Sequence, residues 1–348
     1  MSQLDILLPF GLPPAELSVD LLKELDAPAF ATIIARTKSG GPPQHERFDS
    51  FSRALPHEIW LARQFGLKND HSSPSIAASL MQALRLPPAS GTWFVLHPVH
   101  IHIARDHLVL TDPRQLVLTE AESRALFDIA KALFQETGKN LVFGNASTWF
   151  LRADDWDTLQ TSTPDAATGH NIDIWMPKGQ GEREWRKVQN EIQMHWFNHP
   201  INENREMHRQ RSINSLWLWG GGTTVCTPGH YTHSYNLSDW ANAFSPYVTS
   251  PGSAATASSL LASRPERGLL LLDALLEPAL ANDWGSWLAA VRDLEANWFA
   301  PLLFALKSGA IHQLALHISH DSCLSRFVTT PSSLRKFWIK PSLAKLCP

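Results

Sequence analysis

HPINENREMHRQRSINSLWLWGGG, residues 199–222, joins a polar lead-in to a hydrophobic strand that ends at three glycines. Branched and aromatic side chains from Leu216 to Trp219 predict a buried strand. The glycines that follow allow positive φ angles and a close approach of the backbone to another group. In open α/β sheets, ligands bind just beyond the carboxyl ends of the strands. The stretch therefore predicts a functional site near Gly220.

Strands and helices alternate along most of the chain. Period-two alternation of apolar residues predicts strands, and apolar residues three and four positions apart predict helices. Strands are predicted within residues 5–10, 92–110, 141–151, 216–219, 268–276 and 311–319, with two strands each in the second and third ranges. Helices are predicted over residues 15–25, 27–38, 55–67, 73–86, 119–138, 184–198 and 284–306. Strands separated by long helices predict an α/β fold with a largely parallel sheet and helices on both faces.

Length and composition bound the class of protein. A chain of 348 residues predicts one large domain with an insertion, or two domains. Its net charge of -3 argues against nucleic acid as a partner, because nucleic-acid binding needs a clustered positive surface. Three cysteines without paired spacing are typical of a reducing compartment. Since neither a signal peptide nor an apolar stretch of ~20 residues is visible, we expect a cytoplasmic protein without membrane association.

Four histidines, His97, His100, His102 and His107, form a conspicuous group. The alternation around them places His100 and His102 on the same face of a strand, where two neutral imidazoles could share a transition metal. The alternative is that they are hydrogen-bonded strand residues. Because no carboxylate or cysteine lies at ligand spacing, we favour the structural interpretation.

His195, His199 and Arg205 indicate an anion site beside the central stretch. The two histidines are four residues apart and share a face if the helix continues. An arginine guanidinium combined with a histidine suits a phosphate or a carboxylate. The alternative is an internal salt bridge from Arg205 to Glu191 or Glu203.

Another group of polar residues lies at the ends of predicted strands. His317, His320 and Asp321 lie at the end of the last predicted strand, and Asp273 lies near the end of the strand predicted at residues 268–276. These four residues could form a metal or phosphate site, or they could cap the turns that follow, and we favour capping. The common nucleotide-binding, hydrolase and metalloprotease motifs are absent from the sequence, which removes most familiar catalytic templates.

The central stretch resembles a segment of the archaeal-type, cofactor-independent phosphoglycerate mutases. In both, a turn that bears Asn and Arg, here HPINENR at 199–205, precedes a strand of the type SINSLWLWGGG, here at 212–222. Together with LHPVHIHIARDHLVLTD at 96–112 and NEIQMHWFNHPINENR at 190–205, these segments are similar to the bacterial RpfE-type regulatory proteins, which are described as phosphoglycerate mutase-like. The resemblance extends over most of the chain.

The mutases belong to the alkaline phosphatase superfamily. The resemblance implies a doubly wound α/β domain of alkaline-phosphatase type, residues 1–90 and 213–348, with a smaller inserted α/β domain at residues 91–212. It also implies two divalent metals and a serine nucleophile. The nucleophile would lie between His71 and Ser75, where the expected Gly-Ser-Asp is absent and the candidates are Ser72, Ser73 and Ser75.

Several metal-binding positions of the mutases have no ligand in this chain. Phe10-Gly11 stands where the first strand should end in a metal-binding Asp-Gly. The sequence after Asp273, LLEPALANDW at 275–284, lacks the expected histidine, and the late Asp-His motif is replaced by SHDS at 319–322. A two-metal site needs about six or seven ligands in fixed geometry. The resemblance therefore implies a metal site that has decayed.

We expect a phosphoglycerate mutase-like protein with a degenerate metal site, which acts as a non-catalytic or regulatory protein. Its ligand would be a small phosphorylated or carboxylated molecule. The expected ligand-binding residues are His199, Asn202, Arg205 and Asn214, and no metal cofactor is expected.

Two alternatives from other functional classes remain open. The first is an active mutase or phosphohydrolase that binds Mn²⁺ or Zn²⁺ through Asp273, His317, His320 and Asp321. The second is a protein-interaction module that uses the aromatic residues of the stretch 223–259, since exposed aromatic side chains favour interfaces.

Overall fold

The computed structural model describes residues 2–38, 44–67, 72–86, 88–223 and 226–347. The strands are β1 Gln3–Leu8, β2 Gln44–Arg47, β3 Trp93–Val99, β4 Ile101–Ala104, β5 His107–Leu110, β6 Asn140–Asn145, β7 Thr148–Arg152, β8 Ser215–Gly222, β9 His233–Tyr235, β10 Ser250–Gly252, β11 Arg267–Leu271, β12 Gln313–Ser319 and β13 Cys323–Thr329. The helices are α1 Ser18–Lys23, α2 Pro28–Ala35, α3 Pro56–Gln64, α4 Ala77–Ala83, α5 Glu120–Glu136, α6 Pro164–Ala167, α7 Glu182–Phe197, α8 Pro200–Met207, α9 Ala257–Ala262, α10 Leu276–Leu280, α11 Trp284–Leu294, α12 Ala300–Ser308 and α13 Pro331–Leu334. None of these helices has both the length and the apolar character that crossing a membrane requires.

β1 lies inside a seven-stranded sheet with the order β10-β9-β11-β1-β12-β13-β2. It pairs in parallel with β11 on one side and with β12 on the other. Because helices cover both faces of such a sheet, apolar residues on both faces of β1 are buried, among them Leu4, Leu7 and Leu8. At one edge of the sheet, β13 pairs antiparallel with β12, and β2 pairs antiparallel with β13. The prediction of an α/β fold with a largely parallel sheet is confirmed.

A second, four-stranded sheet has the order β6-β7-β3-β8 and is antiparallel. Its edge strand β8 contains the buried residues Leu216 to Trp219, so the predicted strand is present. It pairs with β3, where Leu218 lies opposite Leu96, and it is not part of the parallel sheet. A fully apolar strand carries no signal that separates the two kinds of sheet. The smaller sheet therefore extends to Gly222, beyond the boundary at residue 212 that the resemblance implies.

The predicted strand pair in residues 92–110 is divided into three strands. β3 ends at Val99, and β4 and β5 form a separate two-stranded hairpin. The rings of His100 and His102 are stacked with centroids 5.9 Å apart, which agrees with the predicted common face. Both rings have hydrogen-bond partners inside the protein, Ser212 for His100 and Thr111 for His102.

The long helix predicted over residues 284–306 is interrupted by a π-helical turn, Glu295–Phe299, between α11 and α12. Glu295 is buried, and its carboxylate accepts hydrogen bonds from the backbone N–H groups of Ala29 and Phe30 at 2.7 and 2.9 Å. Those N–H groups belong to the first turn of α2, where helix geometry provides no acceptor. The turn thus brings a carboxylate from one helix to the amino end of another.

Glu295→Ala should lower the free energy of unfolding by about 2–4 kcal/mol, because two buried N–H groups lose their acceptor. Urea denaturation of the variant checks this value. The control is Glu136→Ala at an exposed position of α5, which we expect to change stability by less than ~0.5 kcal/mol. Equal stabilities of the two variants would contradict the capping role.

Candidate functional site

A cavity of about 590 Å³ lies where the two larger sheets meet, and we call it the central cleft. Pro9 and Asp273, which follow β1 and β11, line it from the seven-stranded sheet. His97 of β3 and Trp219 of β8 line it from the four-stranded sheet. Cavities of this volume at the carboxyl ends of parallel strands are the usual place for small ligands in α/β proteins.

The first turn of α3 contributes a buried carboxyl group to the central cleft. The Glu58 carboxylate accepts hydrogen bonds from the backbone N–H of Leu55 and from the hydroxyl of Thr163, both at 2.7 Å. The first bond caps the helix from within, at a helix start that Pro56 also favours. Thr163 belongs to the chain between β7 and β8 of the smaller sheet. Glu58 therefore joins the two parts of the molecule.

Arg114 lies between two buried aspartates. Its guanidinium donates to Asp112 through Nε and Nη2 at 2.9 and 3.0 Å, and to Asp165 through Nη2 and Nη1 at 2.8 and 3.3 Å. Burial opposes its charge, but Asp165 and Asp112 together outweigh burial and raise the pKa of Arg114. These bonds occupy four of the five N–H donors of a guanidinium. Paired bonds of this kind hold all three side chains in one orientation.

Two carboxyl groups in the central cleft resist ionisation. Burial, and then the neighbouring Asp165, raise the pKa of Glu58 to about 8. Glu58 is therefore mostly protonated at neutral pH. Burial also raises the pKa of Asp273, with a further contribution from Asp239. In both cases burial is the main cause, and a neighbouring carboxylate adds to it.

His57 is buried, and one of its ring nitrogens has no hydrogen-bond partner among the described residues. Nδ1 lies 3.3 Å from the hydroxyl of Ser319, while Nε2 is enclosed without a hydrogen bond. Burial, and then Arg114, lower the pKa of His57 to about 3, so the ring is neutral. His57, Glu58 and Asp165 each bring a potential metal-binding atom within 4.8 Å of the others. Across the described ranges, no other group of three or more His, Cys, Asp or Glu residues meets this distance.

The lining of the central cleft is acidic overall. Its acidic side chains are Glu58, Asp112, Asp165, Asp239, Asp273 and Glu277, and its guanidinium is that of Arg114. Trp219 also lines it, and the buried indole N–H of this residue has no acceptor among the described residues. The cavity therefore favours a cation or an uncharged hydrogen-bonding group over a free anion.

Arg205, the expected anion-binding arginine, is buried and hydrogen-bonded inside the protein. Its guanidinium donates to the backbone oxygens of Arg211 and Val117 at 2.8 and 2.9 Å, and to the Glu122 carboxylate at 3.2 Å. The internal salt bridge that was the alternative is thus present, but its partner is Glu122 and not Glu191 or Glu203. The sequence pattern within α7 and α8 could not predict this partner, because Glu122 belongs to α5.

The other expected ligand-binding residues also make internal hydrogen bonds. The Asn202 amide bonds to the backbone of Trp196 and Ile213, and the Asn214 amide bonds to both backbone groups of Ile101. His199 accepts a hydrogen bond at the start of α8. Asn202 and Asn214 line a second cavity of about 540 Å³ with His100 and His102, whereas Arg205 and His199 do not line it.

The four residues named for the alternative metal site have different neighbours. His317 Nε2 lies 3.2 Å from an Asp5 oxygen, and His320 Nδ1 contacts Asp321. Asp273 lies in the central cleft. Asp273, His317, His320 and Asp321 do not form a common ligand group in the described residues. This set does not fit a two-metal centre.

Phe10 occupies the end of β1. Its ring is buried between the rings of His57 and His320, with centroids 6.1 and 6.0 Å away. Its backbone N–H donates to Ser319 Oγ at 3.2 Å, and its carbonyl accepts from Trp287 Nε1 at 2.9 Å. An aromatic ring and two engaged backbone groups leave no metal ligand at this position.

The candidate serines lie beside the end of β8. Ser73 is buried, and its hydroxyl bonds to Thr161 at 2.7 Å and accepts the Gly220 N–H at 2.9 Å. Ser72 also bonds to Thr161. Ser75 packs against Gly222, where a Cβ atom would collide with its hydroxyl. His71, at the start of the expected nucleophile segment, lies outside the described residues.

The aromatic residues of the stretch 223–259 point mostly inward. Phe244 is fully buried against Phe65, and Trp240 lines the central cleft. Among the described residues, the most exposed large aromatic side chains are instead Phe337, Phe197 and Phe304, which are 81%, 76% and 73% exposed.

No protein-family model and no curated protein matches the sequence of this chain. Solved structures match its fold. The cofactor-independent phosphoglycerate mutase of Thermoplasma acidophilum DSM 1728 is 12% identical with a TM-score of 0.50, over 100% of this chain and 95% of that chain. The PH0037 protein of Pyrococcus horikoshii is 12% identical with a TM-score of 0.51, over 99% and 92%. The chain therefore has a phosphoglycerate mutase-like fold, as the resemblance implies, while membership of the RpfE-type group stays a prediction.

Arg205→Ala should lower the free energy of unfolding by about 3–5 kcal/mol, because Glu122 and two backbone oxygens lose a buried partner. Chemical denaturation measures the loss. Arg183→Ala, at an exposed position of α7, is the control and should change stability by less than ~0.5 kcal/mol. A stable Arg205→Ala protein would show that this arginine is free for a ligand.

Asp273→Asn should raise the melting temperature at pH 7, and the gain should disappear toward pH 4. The pKa of Asp273 is raised on folding, so its ionisation destabilises the folded protein as the pH rises above the ordinary value. Asp321 provides the opposite control, because its hydrogen bond with His320 lowers its pKa. Asp321→Asn should therefore lose stability at pH 7, and shifts of the same sign in both variants would contradict the account.

Proposed function

We propose that this phosphoglycerate mutase-like protein is a non-catalytic binding protein, and that it holds a small phosphorylated or carboxylated ligand in the central cleft. Such a protein would act in regulation through the state of its ligand. The observation that carries the proposal is the end of β1, where the Phe10 ring fills the position at which the mutases are expected to hold a metal ligand.

Two further observations support a loss of the ancestral chemistry. The polar side chains after β11 and β12 have separate partners and do not converge. The hydroxyls of Ser72 and Ser73 bond to Thr161. Phosphoryl transfer in two-metal enzymes needs both a cation clamp and a positioned nucleophile. Among the described residues, Asp273, His317, His320 and Asp321 form no common ligand group, and the hydroxyls of Ser72 and Ser73 are engaged.

The central cleft is a better ligand site than the surroundings of Arg205. It has volume, and the guanidinium of Arg114 in its wall has one unused donor. Arg205 makes three hydrogen bonds inside the protein, and its buried side chain lines neither the central cleft nor the second cavity. The expected site at His199, Asn202, Arg205 and Asn214 is thus replaced in this proposal by the cleft.

Charge sets a condition on the ligand. Each uncompensated carboxylate at ~8 Å disfavours a ligand anion by about 0.5–2 kcal/mol for an effective dielectric constant between ~80 and ~20. Several carboxylates line the cleft and Arg114 is already paired with two of them. A phosphate or carboxylate group therefore requires a compensating cation.

The second candidate function is an active, metal-dependent mutase or phosphohydrolase. The observation in its favour is the group formed by His57, Glu58 and Asp165, residue types that bind catalytic metals. This group differs from the ligands expected for the fold, and turnover with Mn²⁺ or Zn²⁺ would distinguish the two functions.

The binding proposal predicts thermal stabilisation by 3-phosphoglycerate or citrate in the presence of Mn²⁺, without mutase or phosphatase turnover. A ligand at 100 times its Kd stabilises the folded protein by about 2.7 kcal/mol. Ser147→Trp narrows the cleft from an exposed turn and should weaken binding about tenfold or more. Scanning fluorimetry and calorimetry measure both effects.

Ser308→Trp is the matched control, because Ser308 is exposed at the end of α12 and does not line the cleft. It should bind the ligand as the natural protein does. Equal affinities of the two tryptophan variants would place the ligand outside the cleft. Turnover with either metal would overturn the non-catalytic assignment.

A further inference from the structure

We propose that His57, Glu58 and Asp165 bind one divalent cation in the central cleft. This inference goes beyond the proposed function and does not depend on it. The three side chains are buried, and each offers a donor atom within 4.8 Å of the other two. They come from α3 and α6, and none of them is among the residues that the resemblance assigned to metal binding.

The strongest support is the free nitrogen of His57. Nδ1 lies next to the hydroxyl of Ser319, which leaves Nε2 as the atom without a partner. When Nδ1 carries the proton, Nε2 presents a lone pair, which is the form of imidazole that binds metals. A buried polar atom without a partner costs about 1–3 kcal/mol. A cation on Nε2 removes that cost.

The local charges have the sum that a divalent cation neutralises. Once Glu58 gives up its proton to a bound metal, Glu58, Asp112 and Asp165 carry three negative charges against one positive charge on Arg114. The balance of -3 and +1 is -2. Buried charge of this size needs compensation. A divalent ion neutralises this charge of -2 in full, whereas a proton on Glu58 neutralises half of it.

The geometry limits the kind of ion. Ligand atoms at ~2.1 Å from a tetrahedral ion are about 3.4 Å apart. The three donor atoms, which lie within 4.8 Å of one another, must therefore move closer by up to ~1.4 Å when an ion binds. One imidazole with two carboxylates suits Zn²⁺ or Mn²⁺ better than Ca²⁺, which prefers six to eight oxygens. The bonds from Leu55 and Thr163 to Glu58, and from Arg114 to Asp165, hold the two carboxylates in place.

A bound cation would also supply the positive charge that an anionic ligand needs in the cleft. The ion would then lie between the protein carboxylates and a phosphate or carboxylate of the ligand. The class of ligand that follows is a small anion that coordinates a divalent metal.

The test is a titration of EDTA-treated protein with Mn²⁺, with free Mn²⁺ followed by electron paramagnetic resonance and Zn²⁺ used as competitor. We expect one equivalent bound. Glu58→Gln and Asp165→Asn should each weaken binding about tenfold or more. Glu58→Gln keeps an acceptor for Leu55 and Thr163, so it remains informative if Asp165→Asn fails to fold, and circular dichroism checks both.

The double variant His320→Ala, Asp321→Asn is the control and should bind the ion with unchanged affinity. No saturable binding of either metal up to ~1 mM would overturn the inference, as would a bound ion that only the control variant loses. Cation binding without any ligand binding would leave the inference standing and remove the proposed function. Ligand binding without any bound cation would overturn the inference and leave the proposed function standing.

Discussion

A buried network of charges and hydrogen bonds lies where the two larger sheets meet. Glu58 on α3 bonds to Thr163, and Arg114 bonds to Asp112 and Asp165. Removing one partner from a buried ion pair costs about 3–5 kcal/mol, so these residues can hardly separate without loss of the fold. The network lies in the wall of the central cleft, and it therefore determines both the position of the cleft and its charge.

The end of β1 shows how a mutase-like fold can hold different chemistry. Phe10 has a φ of 53°, a conformation that a bulky side chain rarely adopts. Such a backbone costs about 1–3 kcal/mol and persists only where its surroundings hold it. Here the surroundings are two neighbouring imidazole rings and the hydrogen bonds to Ser319 and Trp287. The strained turn lies at the carboxyl end of β1, and a hydrophobic ring fills it.

Sequence patterns predicted the elements well because local periodicity determines them. β8, α5 and the strands β11 and β12 lie where apolar spacing and capping residues indicate. The partners of β8 could not be predicted, since an apolar strand suits either kind of sheet. Thr119 and Glu122 form the capping box of α5, yet nothing local shows that Glu122 also receives the buried Arg205.

The site residues were harder to predict, because their important contacts are with residues that are distant in sequence. Glu58 looks like an ordinary first-turn glutamate, and Arg114 follows a proline in a short turn. Their importance arises from contacts with Thr163 and Asp165, which are distant in sequence. One signal was available, because Pro56-His57-Glu58 places a histidine and a carboxylate together at a helix start.

The most direct test of the account is anomalous diffraction at the manganese edge from crystals grown with Mn²⁺. We predict one strong peak among His57 Nε2, Glu58 and Asp165, within the central cleft. A peak instead between Asp273, His320 and Asp321, or a Glu58 carboxyl paired with Asp165 and no metal in the cleft, would contradict it.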